Sequence, residues 1–318
     1  MRFVVVGAGA IGGVVGGRMV EAGHEVVLMA RGLHAEVMAR DGLTLRSSEG
    51  DATIEVQVAR RVGEIRWRDD DVALLATKSN DSVAVLEDLE AVAHPATAIV
   101  CLQNGVANER EALRRFAGVY GVCVMCPATH LEAGVVAASS SPTTGILDIG
   151  RYPTGDDATA RAIAQAFEAA TFVSEARPDI MRWKYAKLLM NLGNAVEAAM
   201  GPEGRFSEVA AQARREGVAC FRAAGIEGAS REEDRDRRGD ILQMRSIEGE
   251  GRGGGSSWQS LARGTGRIET DYLNGEIVLL GRLHGVATPV NERLQRVANE
   301  LARTGAPPGT FTEADLLT

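Results

Sequence analysis

Aromatic residues are scarce in this chain, at 4% of 318 residues. That speaks against a nucleic-acid platform built on stacked bases. Positive charge is not in surplus either. The 35 Lys and Arg stand against 43 Asp and Glu, a formal net charge of −8, whereas a general nucleic-acid binder needs clustered cations to displace counterions. Four cysteines, Cys101, Cys123, Cys126 and Cys220, are too few for a disulfide framework in a chain of this length. Cys123 and Cys126 form a C-x-x-C, but no second ligand pair and no helix N-terminus accompanies them. Both read as small apolar residues of a strand over 119–126, and no metal site is expected. No stretch of about 18 apolar residues runs without a polar break, so no spanning helix is expected. The apolar N-terminal stretch is threaded with glycines from Gly7 to Gly17 at motif spacing, which argues against a secretion signal. The expected setting is a reducing, cytoplasmic one.

What remains is an ordinary globular composition, 45% apolar and 25% charged. At roughly 100–200 residues per domain the length suggests two domains. Residues 2–6 are a short β-branched run and read as a buried strand. Residues 7–12 turn, 11–22 read as a helix closed by Gly23, and 25–30 as a second strand. Residues 71–77 and 97–102 repeat the strand signal on either side of a helix at 81–93. Strand, helix and strand at this spacing imply an α/β domain with a doubly wound parallel sheet. Residues 53–58 and 119–149 alternate more and suggest an antiparallel portion. A helix at 158–170 and a last strand at 171–173 complete it. After Arg177-Pro178 the pattern becomes helical, over 179–200, 203–224, 268–283 and 291–303. The expected boundary is near Pro178, giving a dinucleotide-binding domain over 1–177 and an all-helical domain over 178–318. Between the last two helix pairs, 230–257 is the least regular stretch and reads as a solvated helix end followed by a mobile loop, or more sharply as a lid.

Gly7-Ala8-Gly9-Ala10-Ile11-Gly12 is a G-x-G-x-x-G run. Alone it is a weak signal. Here it follows a strand and opens a helix within a βαβ unit, the context of a dinucleotide site. Gly7 allows the tight turn, Gly9 the approach of a pyrophosphate, and Gly12 close helix–strand packing. The helix N-terminus offers N–H groups and positive dipole to phosphates. An NAD-preferring site would end the second strand in Asp or Glu, whereas this chain has Arg31, 19 positions after Gly12. A cation there suits a 2′-phosphate, hence NADP(H). Further on, Lys187, Asn191 and Asn194 fall at i, i+4 and i+7, on one helical face amid mostly apolar neighbours. A Lys on such a face is costly unless it is paired or works.

The whole chain, from Met1 to about Arg303, resembles the ketopantoate reductase (2-dehydropantoate 2-reductase) family. The likeness rests on the N-terminal G-x-G-A-I-G, on Leu102-Gln103-Asn104-Gly105, and on W-x-x-x-K-x-x-x-N from Trp183 to Asn191. It also rests on Ser257 followed twelve residues later by Glu269 in Glu269-Thr270-Asp271-Tyr272-Leu273-Asn274-Gly275, and on Thr288-Pro289-Val290-Asn291. The resemblance implies a Rossmann domain and a helical domain that together reduce a 2-oxo acid with NADPH. It implies Lys187 as general acid and Glu269 as the acidic residue at the nicotinamide end. It implies Asn104 as an amide for cofactor and substrate, Lys78 as a cofactor-side cation, and Asn191 and Ser257 as substrate contacts; Asn194, on the helical face of Lys187, is expected to add a further substrate-side amide. Taken singly, Ser257 could cap a helix starting at Trp258, Glu269 could be a first-turn carboxylate, and Asn104-Gly105 a turn. The family's second Asn, eight residues after the lysine, is Ala195 here, with Asn194 one step earlier, and another substrate-side Asn is replaced near Arg205. A 3-hydroxyacid or opine dehydrogenase shares the two-part plan. A non-catalytic NADP(H) sensor would not need Lys187, Asn191 and Glu269 together. The partner expected is a small 2-oxo acid, not nucleic acid or membrane, with a homodimer left open.

Overall fold

The computed structural model of the chain describes residues 1–247, 255–264 and 266–317. Its contacts divide it into two compact units. One comprises 1–103, 108–181 and the described part of 231–250; the other comprises 104–107, 182–230 and the described part of 251–318.

The first unit runs β1 (Arg2–Val6), α1 (Ala10–Glu21), β2 (Val26–Met29), α2 (Gly32–Asp41), β3 (Leu43–Ser47), β4 (Gly50–Ile54), β5 (Gln57–Ala59), β6 (Asp71–Leu75), α3 (Ser79–Glu90), β7 (Ala98–Cys101), α4 (Asn108–Leu113), β8 (Val119–Met125), β9 (Ala128–Thr129), β10 (Val135–Ala138), β11 (Gly145–Arg151), α5 (Ala158–Ala169) and β12 (Phe172–Val173). An eight-stranded sheet has the order β12-β11-β8-β7-β6-β1-β2-β5. Its neighbours are parallel except β8 with β11. The central strands are buried along their whole length, which is why they read as unbroken apolar runs rather than alternating ones. One polar pair interrupts them. Arg2 and Asp71, neighbours in register on β1 and β6, form a buried ion pair at 2.7 Å. The chain leaves β1 to β2 on one side and returns through β6 on the other, so the strand order reverses between β1 and β6. Open α/β sheets bind ligands at such a point, beyond the C-terminal ends of the strands.

The antiparallel portion expected at 53–58 divides between two sheets, and only its first part pairs antiparallel. Residues 50–54 join a second, four-stranded sheet β4-β3-β10-β9, and 57–59 join the main sheet beside β2. The change of sheet occurs at Glu55-Val56, which the period-two pattern does not reveal. Cys123 lies buried in β8 and Cys126 just after it. Burial pushes the Cys126 thiol up to about 12, away from the thiolate form that redox chemistry uses.

The second unit contains α6 (Ile180–Asn191, from Arg182 onward), α7 (Gly193–Met200) and α8 (Glu208–Ala224). The chain then returns to the first unit as α9 (Arg231–Arg238). The second unit resumes with α10 (Ser256–Ala262), α11 (Asn274–His284), α12 (Pro289–Thr304) and α13 (Glu313–Leu317). Three expected long helices are broken. The run 179–200 is interrupted at Leu192, where Gly193 and Asn194, poor helix formers, follow. The run 203–224 begins as a 3₁₀ turn at Pro202–Phe206, and Ser207 caps α8 through the Ala210 N–H. The run 268–283 opens with a 3₁₀ turn, Thr270–Tyr272, before α11.

Two buried asparagines tie this unit together. The Asn291 amide donates to the Ala213 carbonyl at 3.0 Å and to Glu216 at 2.7 Å. Asn274 donates to Asn291 Oδ1 at 3.0 Å and to the Leu192 carbonyl, at the break between α6 and α7, at 3.4 Å. Glu216 also accepts the Val290 and Asn291 N–H groups, serving the first turn of α12 as a cap would. The tail beyond residue 304 packs too. Glu313 accepts the N–H of Glu208 at 2.6 Å, and Leu316 is buried.

The stretch after Ser230 begins with a helix that has no buried residue, as expected of a solvated helix end, but it is also docked on the first unit. On α9, the Arg237 side chain is 8% exposed and donates twice to Asp148 of β11, at 2.6 and 2.8 Å. Backbone bonds from Ser141 to Gln243 and from Arg245 to Ser139 continue the docking. The remainder of the expected loop or lid, 248–254, lies outside the described residues. Among the described residues no helix is long and apolar enough to cross a membrane, and no group of three or more His, Cys, Asp or Glu is placed to hold a metal ion.

Candidate active site

In the first unit the glycine loop lies against the end of β6. Gly7 has φ +106°, and a Cβ there would fall 2.8 Å from the Thr77 nitrogen. A Cβ at Gly12 would stand 2.2 Å from the Gly7 carbonyl oxygen and 2.9 Å from Val5. A Cβ at Gly9 would meet nothing within 4 Å. Two glycines therefore serve close packing and one leaves open space over the loop. Ala8 and Gly9 lead into α1, which begins at Ala10, continues through Ile11 and Gly12, and carries no acidic residue in its first turn. No side-chain cap bond closes this N-terminus, so its N–H groups and dipole are suited to a diphosphate.

Arg31 and Lys78 stand at the starts of two neighbouring helices. Arg31 is the residue before α2 and Lys78 the residue before α3. Arg31 is 74% exposed and pairs with Asp81, in the first turn of α3, at 3.1 Å. Such an exposed pair is worth ~0–1 kcal/mol, a weak competitor for a phosphate. The turn carrying Lys78 is braced from β7. The Gln103 amide donates to the Thr77 carbonyl at 2.7 Å and to Ser82 at 2.9 Å, and Asn108 donates to Ser79.

In the second unit α6 carries Lys187. Its ammonium donates to Asn104 Oδ1 at 3.3 Å and to Asn191 Oδ1 at 3.4 Å. Both acceptors are neutral amides, so these contacts orient the charge without cancelling it. Asn104 owes its place to Gly105, whose φ is +80° and whose Cβ would stand 3.0 Å from the Tyr272 carbonyl. Asn191, one turn beyond Lys187, is nearly buried at 7% exposure. The structure thus brings together Lys187, Asn104 and Asn191, of which only Asn104 is distant in sequence. Asn194 is placed differently. The break at Leu192 puts it on α7, where its amide donates to Ser256 Oγ at 3.1 Å. Ser257 is buried in the first turn of α10. That helix starts at Ser256, so Ser257 is not its cap. Glu269 is half-buried and immediately precedes the Thr270–Tyr272 turn.

Sequence reasoning missed Glu197. This carboxylate, 3% exposed, accepts the Gly255 N–H at 2.8 Å and pairs with Arg205 at 2.5 Å. It thereby anchors the start of the helix bearing Ser256 and Ser257. The available signal was a lone acid inside the apolar run Ala195–Met200, where a carboxylate needs partners.

The two halves match two models of one family, "Ketopantoate reductase PanE/ApbA" over residues 3–153 and its C-terminal counterpart over 179–302. The 2-dehydropantoate 2-reductase of Halobacterium salinarum is 30% identical over 322 residues, with 96% of this chain and all of that protein covered. The chain belongs to the ketopantoate reductase family. It is therefore an oxidoreductase of the class acting on CH–OH groups. The crystal structure of a PanE/ApbA family ketopantoate reductase from Ralstonia eutropha JMP134 superposes with a TM-score of 0.79 at 25% identity, covering 96% of this chain and 99% of that one. D-mandelate dehydrogenase with NADH and anilino(oxo)acetate has the same fold, with a TM-score of 0.79 at 20% identity over 96% and 99% of the chains. The α/β domain followed by a helical domain is thus the ketopantoate reductase architecture.

Proposed function

We propose that this chain reduces a 2-oxo acid of the ketopantoate type to its 2-hydroxy acid with NADPH. The observation that carries the reading is the Lys187 ammonium held by the amide oxygens of Asn104 and Asn191. Bound NADPH supplies the hydride. The chain itself must hold the oxo acid and meet the negative charge that develops on its carbonyl oxygen. Lys187 answers that charge in two ways. Its ammonium stabilises the oxyanion, and its proton completes the alcohol. Asn104 and Asn191 restrict the rotamers of a long side chain, so the ammonium is oriented before substrate arrives. The serines at the start of α10, anchored by Glu197 and Asn194, supply hydroxyl and N–H donors suited to a carboxylate. Gly7, Ala8, Gly9, Ala10, Ile11 and Gly12 hold the diphosphate, with Lys78 and Glu269 on the cofactor side.

The fold itself does not choose the cofactor, since D-mandelate dehydrogenase of the same architecture holds NADH. Arg31 supports NADPH, because its exposed guanidinium can exchange Asp81 for a 2′-phosphate. A charge-assisted contact of that kind is worth roughly 1.5–3 kcal/mol. Arg31→Ala should raise the KM for NADPH about tenfold or more and leave NADH use almost unchanged. Equal losses with both cofactors would make Arg31 structural.

The test of the whole reading is NADPH oxidation, followed by absorbance, against a panel of 2-oxo acids. Absence of turnover with every branched 2-oxo acid would overturn it. The panel also addresses the substrate tail. Ala195 is buried and presents a methyl group where the family pattern has an amide, and the neighbouring Asn194 amide is engaged with Ser256. Losing one hydrogen bond to a distal hydroxyl costs roughly 0.5–1.5 kcal/mol. Ketopantoate should therefore exceed 2-oxoisovalerate in kcat/KM by less than about a hundredfold. A larger preference would mean that another residue supplies the contact.

A further inference from the structure

His34 lies on α2, half-buried, and makes two hydrogen bonds with backbone atoms. Its Nε2 is 2.8 Å from the Ala8 carbonyl oxygen, and its Nδ1 is 2.8 Å from the backbone nitrogen of Gly134. A backbone N–H can only donate, so Nδ1 accepts and carries no proton. The ring proton must then sit on Nε2 and be donated to Ala8. The ring is fixed from other sides as well. It packs at a 42° tilt against His130 with centroids 4.1 Å apart, and His130 is itself tied to the Val135 carbonyl at 2.9 Å. Gly134 has φ +77°, and a Cβ there would fall 2.3 Å from Val37 of α2. The turn before β10 is thus seated directly on the helix that carries His34.

The bond to Ala8 has a consequence one atom further on. In a planar trans peptide the C=O and the following N–H point in opposite directions. The N–H on the far end of the Ala8 carbonyl belongs to Gly9, the residue before α1, over which the space is open. Ala8 is held at its other end as well, its N–H donating to the Met29 carbonyl at 2.8 Å. We propose that His34 is a positioning residue for dinucleotide binding: it holds the Ala8 carbonyl so that the Gly9 N–H of the same peptide is presented to the cofactor diphosphate. The proposal rests on the reading of Gly7 to Gly12 as the diphosphate site. It differs from the role of Arg31, because the diphosphate is common to both nicotinamide cofactors.

The experiment compares wild type, His34→Phe and His34→Gln by the Kd for NADPH and for NADH, and by kcat at saturating cofactor. The phenylalanine keeps a ring for His130 but no polar atom; the glutamine keeps a donor that can reach Ala8. His34→Phe should raise both Kd values by the same factor, about tenfold, the loss expected for one well-aligned hydrogen bond. The kcat should stay within about twofold, since only binding is affected. His34→Gln should recover most of the affinity. Unchanged Kd values in a folded His34→Phe overturn the proposal. So does a variant whose affinity and kcat fall together and are not restored by glutamine. Should His34→Phe fail to fold, ring nitrogen shifts of His34 in the wild-type protein decide. The Nε2–H tautomer supports the proposal, and the Nδ1–H tautomer or a doubly protonated ring near neutral pH overturns it. Wild-type protein that binds neither cofactor overturns the diphosphate reading itself, and the His34 proposal with it.

Discussion

Lys187→Ala should lower turnover by roughly 10²–10⁴ while NADPH affinity stays near that of the wild type. The reasoning starts from where Lys187 stands. It is on α6 of the helical unit, bonded to Asn104 and Asn191, whereas the glycine loop and the pair of Arg31 with Asp81 belong to the first unit. Removing it takes away both the charge that meets the oxyanion and the proton that quenches it. Binding of the cofactor draws on neither. The two asparagines that lose a partner are amides and can bind water, so the change should cost little stability. Lys187→Arg separates the two contributions. An arginine keeps the charge but holds its proton too tightly to give it up, so it should recover only part of the rate. Steady-state NADPH oxidation and cofactor binding by fluorescence measure the two quantities. Turnover of Lys187→Ala within a few-fold of wild type would remove Lys187 from the mechanism.

Short-range spacing made part of this legible. The pair Lys187 and Asn191 is one helical turn apart, and the helix delivers the contact. The three glycines are each needed for a reason that follows from the βαβ turn. Long-range pairing was not legible. His34 meets Gly134 across 100 residues, and Glu197 meets Gly255 across 58. Nothing local marks either pair. Asn194 shows the limit within a helix. An unbroken helix would keep it on the Lys187 face, but the interruption at Leu192, whose carbonyl Asn274 reaches, turns it to Ser256. Charge counting gave the solvated character of α9 but not its docking. Its charges nearly cancel and read as solvated, yet a single one of them, Arg237, finds a buried carboxylate on β11 and secures the segment to the sheet.

Gly12→Ala and Gly9→Ala should separate packing from ligand approach at the same loop. The Gly12 methyl has nowhere to go: the Gly7 carbonyl oxygen would be 2.2 Å away, with Val5 and Ala76 at 2.9 and 3.0 Å. Backbone cannot yield as a side-chain end does, so α1 must move off β1. Overpacking of this kind costs roughly 1–3 kcal/mol or more, a drop of several degrees in Tm. Displacing the helix N-terminus by about 1 Å also misplaces every N–H offered to the diphosphate, and NADPH affinity should fall about a hundredfold or more. Gly9 is the converse. Its backbone is extended at φ −76°, and a methyl there meets nothing within 4 Å. Gly9→Ala should leave Tm unchanged or slightly raised, because alanine restricts the unfolded chain. Its cofactor affinity should nonetheless fall, because the methyl occupies the space through which a diphosphate reaches the loop. Thermal melts and NADPH titrations on the two variants give four numbers. A Gly9→Ala protein that binds NADPH as tightly as wild type would show that the diphosphate does not cross that space, and a Gly12→Ala protein with unchanged Tm would show that the loop yields where the packing says it cannot.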